Sequence, residues 1–207
     1  VNNIRRLFLM FGWVPKPKRV LLIGLGSGSW ATVLAHHPGL EKLTVVDINS
    51  GYLKIIQGNP IVGGILKNPR VDIKIDDARR WLKRYPQQKF DLIILNTSLH
   101  WRGYHSNLLS KEFLALAQKN LTEKGSLYYN TTSSLEAQKT GVLVFPYAIR
   151  IHNFILGSRA PLALDYPGWY SLMLNYEINS KKVVDLKRKR DRWKMGLFSQ
   201  DMKKKKE

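Results

Sequence analysis

No cysteine occurs anywhere in the 207 residues. That excludes a disulfide framework and any thiolate metal site, and a reducing, cytoplasmic setting is the expected one. No apolar run approaches the ~20 residues that a spanning helix needs. Acidic residues are scarce: 15 Asp and Glu stand against 34 Lys and Arg, a formal net charge of +19. This balance disfavours a cationic substrate unless acids gather locally. It suits polyanions, either nucleic acid or an anionic membrane surface. No two His or acidic residues fall at ligand spacing on one face, so no metal is expected, and no Ser-His-Asp arrangement is legible. The opening VNNIRRLFLMFGWVP is too short and wrongly flanked for a secretory signal. A chain that opens on Val1 is expected to be part of something longer.

What is present is organised around Arg19 to Asp47, RVLLIGLGSGSWATVLAHHPGLEKLTVVD. Val20 to Ile23 form a short apolar run, as in a strand buried on both faces of a parallel sheet. Gly24, Gly26 and Gly28 follow at once, then a helical pattern from Trp30 to His36. A second run, Leu43 to Val46, ends on Asp47. That distance from the first glycine is close to the one in a nucleoside-binding strand–helix–strand unit. Glycines let backbone approach a ligand, and the helix start carries partial positive charge. An acid ending the second strand can accept from both ribose hydroxyls. The plain alternative is a tight turn without a ligand.

Along the chain, Ile4 to Trp13 reads as an amphipathic lead-in helix. Short helices are expected at Gly51 to Gln57 and Pro60 to Leu66, and a strand at Val71 to Ile75 ending on Asp76-Asp77-Ala78. Arg79 to Arg84 is helical, and the buried strand Phe90 to Leu95 ends at Asn96. A helix from Ser110 to Asn120 has Ser110 as its cap and is closed by Lys124-Gly125; Ser126 to Asn130 is a fifth strand. Leu135 to Thr140 reads as helix, and Leu143 to Phe154 and Tyr170 to Tyr176 as strands. Strands alternating with helices give a doubly wound α/β sheet with its ligand outside the carboxyl ends of the strands. Five strand ends should therefore ring one cleft: Gly24 to Ser29, Asp47, Asp77-Ala78, Asn96 to Trp101, and Asn130 to Thr132. The expected organisation is a lead-in over 1–18, a cofactor-binding domain over 19–180 and a basic tail over 181–207. The tail holds KK, KRKR and KKKK; it reads either as a solvated extension or as a polyanion contact.

The series LLIGLGSGS, LTVVDIN, NPRVDIKIDDARRWL, KFDLIILNTS, LLSKEFLALAQKNLTEKGSLYYN and VFPYAIR resembles, in order and spacing, the spermidine synthases. Those are aminopropyltransferases on the Rossmann-like class I methyltransferase fold, a mostly parallel seven-stranded sheet. The resemblance runs from about Pro15 to about Ile155, and the chain closely resembles a bacterial spermidine synthase-like branch sometimes fused to membrane segments. The small N-terminal β domain usual in the family has no counterpart in these residues. The resemblance implies that Gly24, Gly26, Ser27 and Gly28 line the sulfonium end of S-adenosylmethionine or its decarboxylated form. It implies Asp47 on the ribose, Asp77 on the adenine amino group and the Ala78 backbone at the ring edge. For Asp77 the competing role is helix capping, and the two are compatible.

Three departures stand out. Where the family has acids that grip and deprotonate the acceptor amine, this chain has Ser27, Asn96 and Leu99. A lost charge-assisted contact costs about 1.5–3 kcal/mol, and a positioned base contributes about 10²–10⁴ in rate. Asn96 accepts a hydrogen bond but takes no proton. His100, beside Trp101, Arg102, Tyr104 and His105, is the candidate base, or else a surface residue. Trp101 and Tyr104 could stack on a flat substrate or simply cover the cleft; His36 and His37 read as structural, and His152 lies in a strand without partners. The expectation is a transferase moving an aminopropyl group to a small-molecule amine. The rivals are an S-adenosylmethionine-dependent methyltransferase and a non-catalytic cofactor-binding protein. A homodimer is compatible, nucleic acid is disfavoured for want of a reading module, and the basic tail raises the inner face of a membrane as an alternative location.

Overall fold

The structure is a computed structural model describing residues 4–96 and 105–203. Seven strands form one sheet: β1 Arg19–Ile23, β2 Lys42–Asp47, β3 Val71–Ile75, β4 Phe90–Leu95, β5 Leu121–Asn130, β6 Tyr147–Ile151 and β7 Phe154–Ser158. Their order is β3-β2-β1-β4-β5-β7-β6. Strands β3, β2, β1, β4 and β5 are mutually parallel, and β7 runs antiparallel between β5 and β6. The expected doubly wound, mostly parallel seven-stranded sheet is therefore what the chain forms. A separate two-stranded hairpin joins β8 Glu177–Ile178 to β9 Lys181–Lys182, and its two turn residues, Asn179 and Ser180, both have positive φ.

Helices cover both faces. On one lie α1 Ile4–Met10, α2 Ser29–Ala35, α3 Gly51–Gln57, α7 Tyr166–Asn175 and α8 Lys189–Lys203, which contribute Leu7, Leu34, Ile56, Trp169 and Met195 to one apolar cluster. On the other lie α4 Ala78–Arg84, α5 Lys111–Lys119 and α6 Leu135–Val144, with Leu82, Phe113 and Ala137 in a second. Successive residues of β1 point to opposite clusters, Leu22 to the first and Leu21 to the second. This is why its sequence is a continuous apolar run. Ser110 caps α5 as expected, accepting from the Phe113 amide at 3.2 Å.

Four expectations need correction. Tyr170 to Tyr176 is not a strand but lies mostly in α7. Asp165 accepts from the Gly168 amide at 2.9 Å, Pro167 occupies the first turn, and Trp169 and Met173, four apart, share the buried face. Leu143 to Phe154 is not one strand: α6 runs to Val144, and β6 and β7 are separated by a turn at His152-Asn153 with His152 at φ 56°. Lys124-Gly125 does not end α5. Asn120 ends it, and Gly125 sits within β5 at a register shift against β4. A Cβ at Gly125 would stand 2.7 Å from the Phe90 carbonyl oxygen, so only glycine permits that approach. The expected helix over Pro60 to Leu66 is a 3₁₀ turn over Gly63–Lys67.

The basic stretch is also more than a solvated extension. Its α8 buries Asp191, Met195 and Met202, and Asp201 pairs with Arg5 of α1 and lies 3.3 Å from His152 Nε2. A side chain at Gly12 would collide with Met202 and Leu164. The lead-in is buried in the same way: Trp169 Nε1 donates to the Phe8 carbonyl at 2.8 Å, and Tyr128 Oη donates to that of Arg6 at 3.0 Å.

Candidate active site

The strand order reverses between β1 and β4, and in open α/β sheets that switch point opens a crevice at the carboxyl edge. The loop leaving β1 is Gly24 to Gly28. Its three glycines have φ +96°, +49° and +76°, the left-handed region that side chains resist. The Gly24 amide donates to the Val46 carbonyl at 2.9 Å, so the loop first leans over β2. On the β4 side, a Cβ at Gly24 would come within 3.3 Å of the Asn96 carbonyl oxygen. The Asn96 amide donates to the Ile23 carbonyl at 3.3 Å. The glycine loop and Asn96 thus meet across the switch point. Among the described residues, nothing lies within 4 Å of where a Cβ at Gly26 would stand. Ser27 and Ser29 lie hydroxyl to hydroxyl at 2.9 Å in the same loop.

Asp47 ends β2 nearly buried, and its carboxylate is tied to this loop. Oδ2 accepts from the Leu25 amide at 2.6 Å, and Oδ1 from the Asn49 amide at 2.8 Å. A carboxylate has about four lone-pair sites, so two remain for hydroxyls. The backbone continues the row: the Asp76 amide donates to the Asp47 carbonyl at 3.1 Å, placing the end of β3 beside that of β2.

Asp77 caps α4, with Oδ1 accepting from the Arg79 and Arg80 amides at 2.9 and 3.1 Å. Arg79 also folds its guanidinium onto Asp77, 2.9 Å from Oδ2. The Arg79 hydrogen bond, aided by its charge and the two backbone amides and opposed by partial burial, holds the Asp77 carboxyl below its usual range. For Asp76, burial pushes the carboxyl upward, but hydrogen bonds from Arg80 and the Asp77 amide, with the charges of Arg80 and Arg84, bring it below the usual value. Sequence reasoning named Asp77 but missed Arg79. The available signal was an arginine two residues after a capping acid. Ala78 is buried in the first turn of α4.

At the end of β5, Asn130 Oδ1 accepts from the Thr132 amide at 2.9 Å and from Asn153 Nδ2 at 2.8 Å. Thr132 and Ser133 both adopt positive φ, 52° and 69°, uncommon for residues with side chains. Asn153, which comes from the β6–β7 turn, was not anticipated; an Asn in a turn dipeptide was its one cue. Leu99, His100, Trp101, Arg102 and Tyr104 lie outside the described residues. Gly24 to Gly28, Asp47, Asp77-Ala78, Asn96 and Asn130 to Thr132 all lie at carboxyl ends of the parallel strands.

The sheet order, the antiparallel β7 and the glycine loop at the switch point define an α/β protein of the class I methyltransferase type. Within it, the family model for the spermine/spermidine synthase domain matches residues 9–188, and the chain belongs to that family. A polyamine aminopropyltransferase of Bacillus subtilis is 27% identical over 186 residues, covering 78% of this chain and 66% of that protein. One of Thermococcus kodakarensis is 30% identical over 161 residues, covering 71% of this chain and 55% of that protein. The chain thus spans less than two thirds of the length of these curated relatives. A spermidine synthase crystallised with the transition-state analogue AdoDATO superposes with TM-score 0.70 at 17% identity, over 94% of this chain and 75% of that one. Human methyltransferase-like protein 13 in complex with SAH gives TM-score 0.56 at 18% identity, over 98% of this chain and 89% of that one.

Proposed function

We propose that this chain binds a sulfonium nucleoside, S-adenosylmethionine or its decarboxylated form, and transfers an alkyl group from it to a small nucleophile. Aminopropyl transfer to an amine is the primary reading. The observation that carries it is the meeting of the glycine loop and Asn96 across the β1/β4 switch point, with Asp47 bonded into that loop. The residues fit such a group: the Asp47 carboxylate keeps acceptor capacity after binding Leu25 and Asn49, and no described residue crowds the loop at Gly26. Gly24, Gly26, Ser27 and Gly28 would face the sulfonium end, Asp47 the ribose, and Asp77 with the Ala78 backbone the adenine. An adenine amino group at Asp77 would share that carboxylate with Arg79.

When bound, the sulfonium would supply a carbon activated toward attack by a nucleophile, with the neutral thioether as its leaving group. The protein's part is then mainly positional. Asn96 orients an amine through its amide oxygen but takes no proton, so the amine's proton must go to another group or to water. His100 is the proposed acceptor.

A second reading, methyl transfer, is supported by Ser27, whose neutral hydroxyl tolerates the methionine carboxylate better than an acid would. Calorimetry with S-adenosylmethionine, its decarboxylated form and methylthioadenosine, side by side, tests both. Binding of the decarboxylated form and methylthioadenosine is the expected result. Preference for S-adenosylmethionine would favour methyl transfer, and no binding of any of the three would overturn both readings.

A further inference from the structure

The buried side of α8 is a stripe: Asp191, Met195 and Met202 face the core, with Phe198 packed against it. The opposite side carries Lys189, Arg192, Trp193, Gly196 and Gln200, all exposed. Trp193 is 65% exposed and Leu186 38%. Among the described residues, nothing lies within 4 Å of a Cβ position at Gly196. The turn before the helix is folded onto its first turn. Arg192 Nη1 donates to the Leu186 and Lys187 carbonyls at 2.8 and 3.0 Å, and the Asp185 amide donates to Asp191 Oδ2 at 3.2 Å. Leu186 and Trp193 therefore emerge at the same end of α8, among Lys187, Arg188, Lys189, Arg190 and Arg192, all exposed.

Among the described residues, two acids answer these cations: Asp185, 3.5 Å from Arg188, and Asp191, 3.8 Å from Arg190 and itself buried. Positive charge at a helix start also opposes the macrodipole, so this placement does not serve the helix. An exposed tryptophan and leucine within a cationic strip match an interfacial surface, in which the apolar side chains enter the headgroup boundary and the cations meet anionic lipid. We propose that the amino-terminal end of α8, with the turn at 185–188, docks on an anionic bilayer surface. The proposal is independent of the reaction assigned to the cleft.

The test is co-sedimentation of the full chain with vesicles of ~30% phosphatidylserine in phosphatidylcholine, against phosphatidylcholine alone. Each cation near an anionic surface is worth about fivefold in partitioning. The triple variant Lys187→Ala, Arg188→Ala, Lys189→Ala is therefore expected to lose about a hundredfold. An equal removal elsewhere, Lys42→Ala, Lys67→Ala and Lys83→Ala, is expected to lose far less. All six side chains are exposed, and circular dichroism checks that both variants stay folded. Vesicles should also shift the tryptophan emission to the blue, and Trp193→Ala should abolish that shift. The proposal is overturned by equal losses in the two triple variants, by equal binding to neutral vesicles, or by an emission shift that survives Trp193→Ala. Tighter binding of a DNA duplex than of anionic vesicles at the same salt, unaffected by Trp193→Ala, would also overturn it and assign the strip to nucleic acid.

Discussion

Asp47 does two jobs that pull one experiment in two directions. Its carboxylate receives the Leu25 and Asn49 amides and is proposed to hold a ribose. Asp47→Ala is expected to weaken methylthioadenosine at least about tenfold, the loss of about one charge-assisted bond. It should also lower Tm, because two amides lose their acceptor. Unchanged affinity, read by calorimetry, would remove the nucleoside from this strand end. Asn96 separates the functional readings. On the proposed reading, Asp at 96 and at 99 would give an ammonium partners and its proton an acceptor. The double variant Asn96→Asp, Leu99→Asp is therefore expected to release methylthioadenosine from the decarboxylated cofactor faster in the presence of putrescine, and the unmodified protein weakly at best. Vigorous turnover by the unmodified protein would place the base elsewhere, with His100 the first residue to substitute. His37 governs a pH effect outside the cleft. It is buried against Phe11, ring centroids 4.7 Å apart, and its Nδ1 accepts from the Gly39 amide at 3.1 Å. Burial, weakly opposed by the Pro15 carbonyl, pushes the imidazole down to about 4 from 6.5. Between those values the unfolded chain binds the extra proton, so stability is complete above about pH 6.5 and is lost as pH falls toward 4, by about 3 kcal/mol at most. Denaturant melts across that window should show the slope, and His37→Asn, which keeps an acceptor for Gly39, should flatten it.

At the scale of elements, α8 is where charge pattern and packing disagree. Five of its fifteen residues are Lys or Arg, yet Met202 is buried beside Gly12. Met202→Ala is expected to cost about 2–5 kcal/mol, visible in thermal unfolding. A loss within about 0.5 kcal/mol, the range of surface changes, would return α8 to the status of a solvated extension. The helix before it shows why periodicity misled. In α7, YPGWYSLMLN offers apolar residues at nearly every position, which suits a strand as well as a helix. The deciding features were Asp165 as cap and Trp169 and Met173 on one face. The helix–strand alternation of residues 19–95 was legible because each apolar run was short and ended on a glycine or a polar residue. The β6–β7 hairpin was not, because its turn, His152-Asn153, lacks glycine and proline.

For the whole molecule, a net charge of +19 sets long-range behaviour. It repels a polycationic acceptor, and salt screens that repulsion. If the acceptor is a polyamine, its KM is expected to fall as ionic strength rises from about 0.01 to 0.15 M, where the Debye length contracts from about 30 to 8 Å. A KM that climbs with salt would mean that acids gather at the acceptor's approach despite the overall charge.

By itself the sequence determined the parallel strands, their glycine loop and the acids and amides at their ends, because each is written in a local run of a few residues. Arg19 to Asp47 and Phe90 to Asn96 carry those signals without help from distant residues. Only the tertiary structure decided that Asn96 stands against Gly24 and that Asn153 reaches Asn130 from the far hairpin. It also decided that a basic stretch folds into a packed helix, since Met202 is buried beside Gly12, nearly two hundred residues away in sequence. Contacts between residues far apart in sequence leave no periodic trace, and the strand order that brings them together exists only once the sheet has formed.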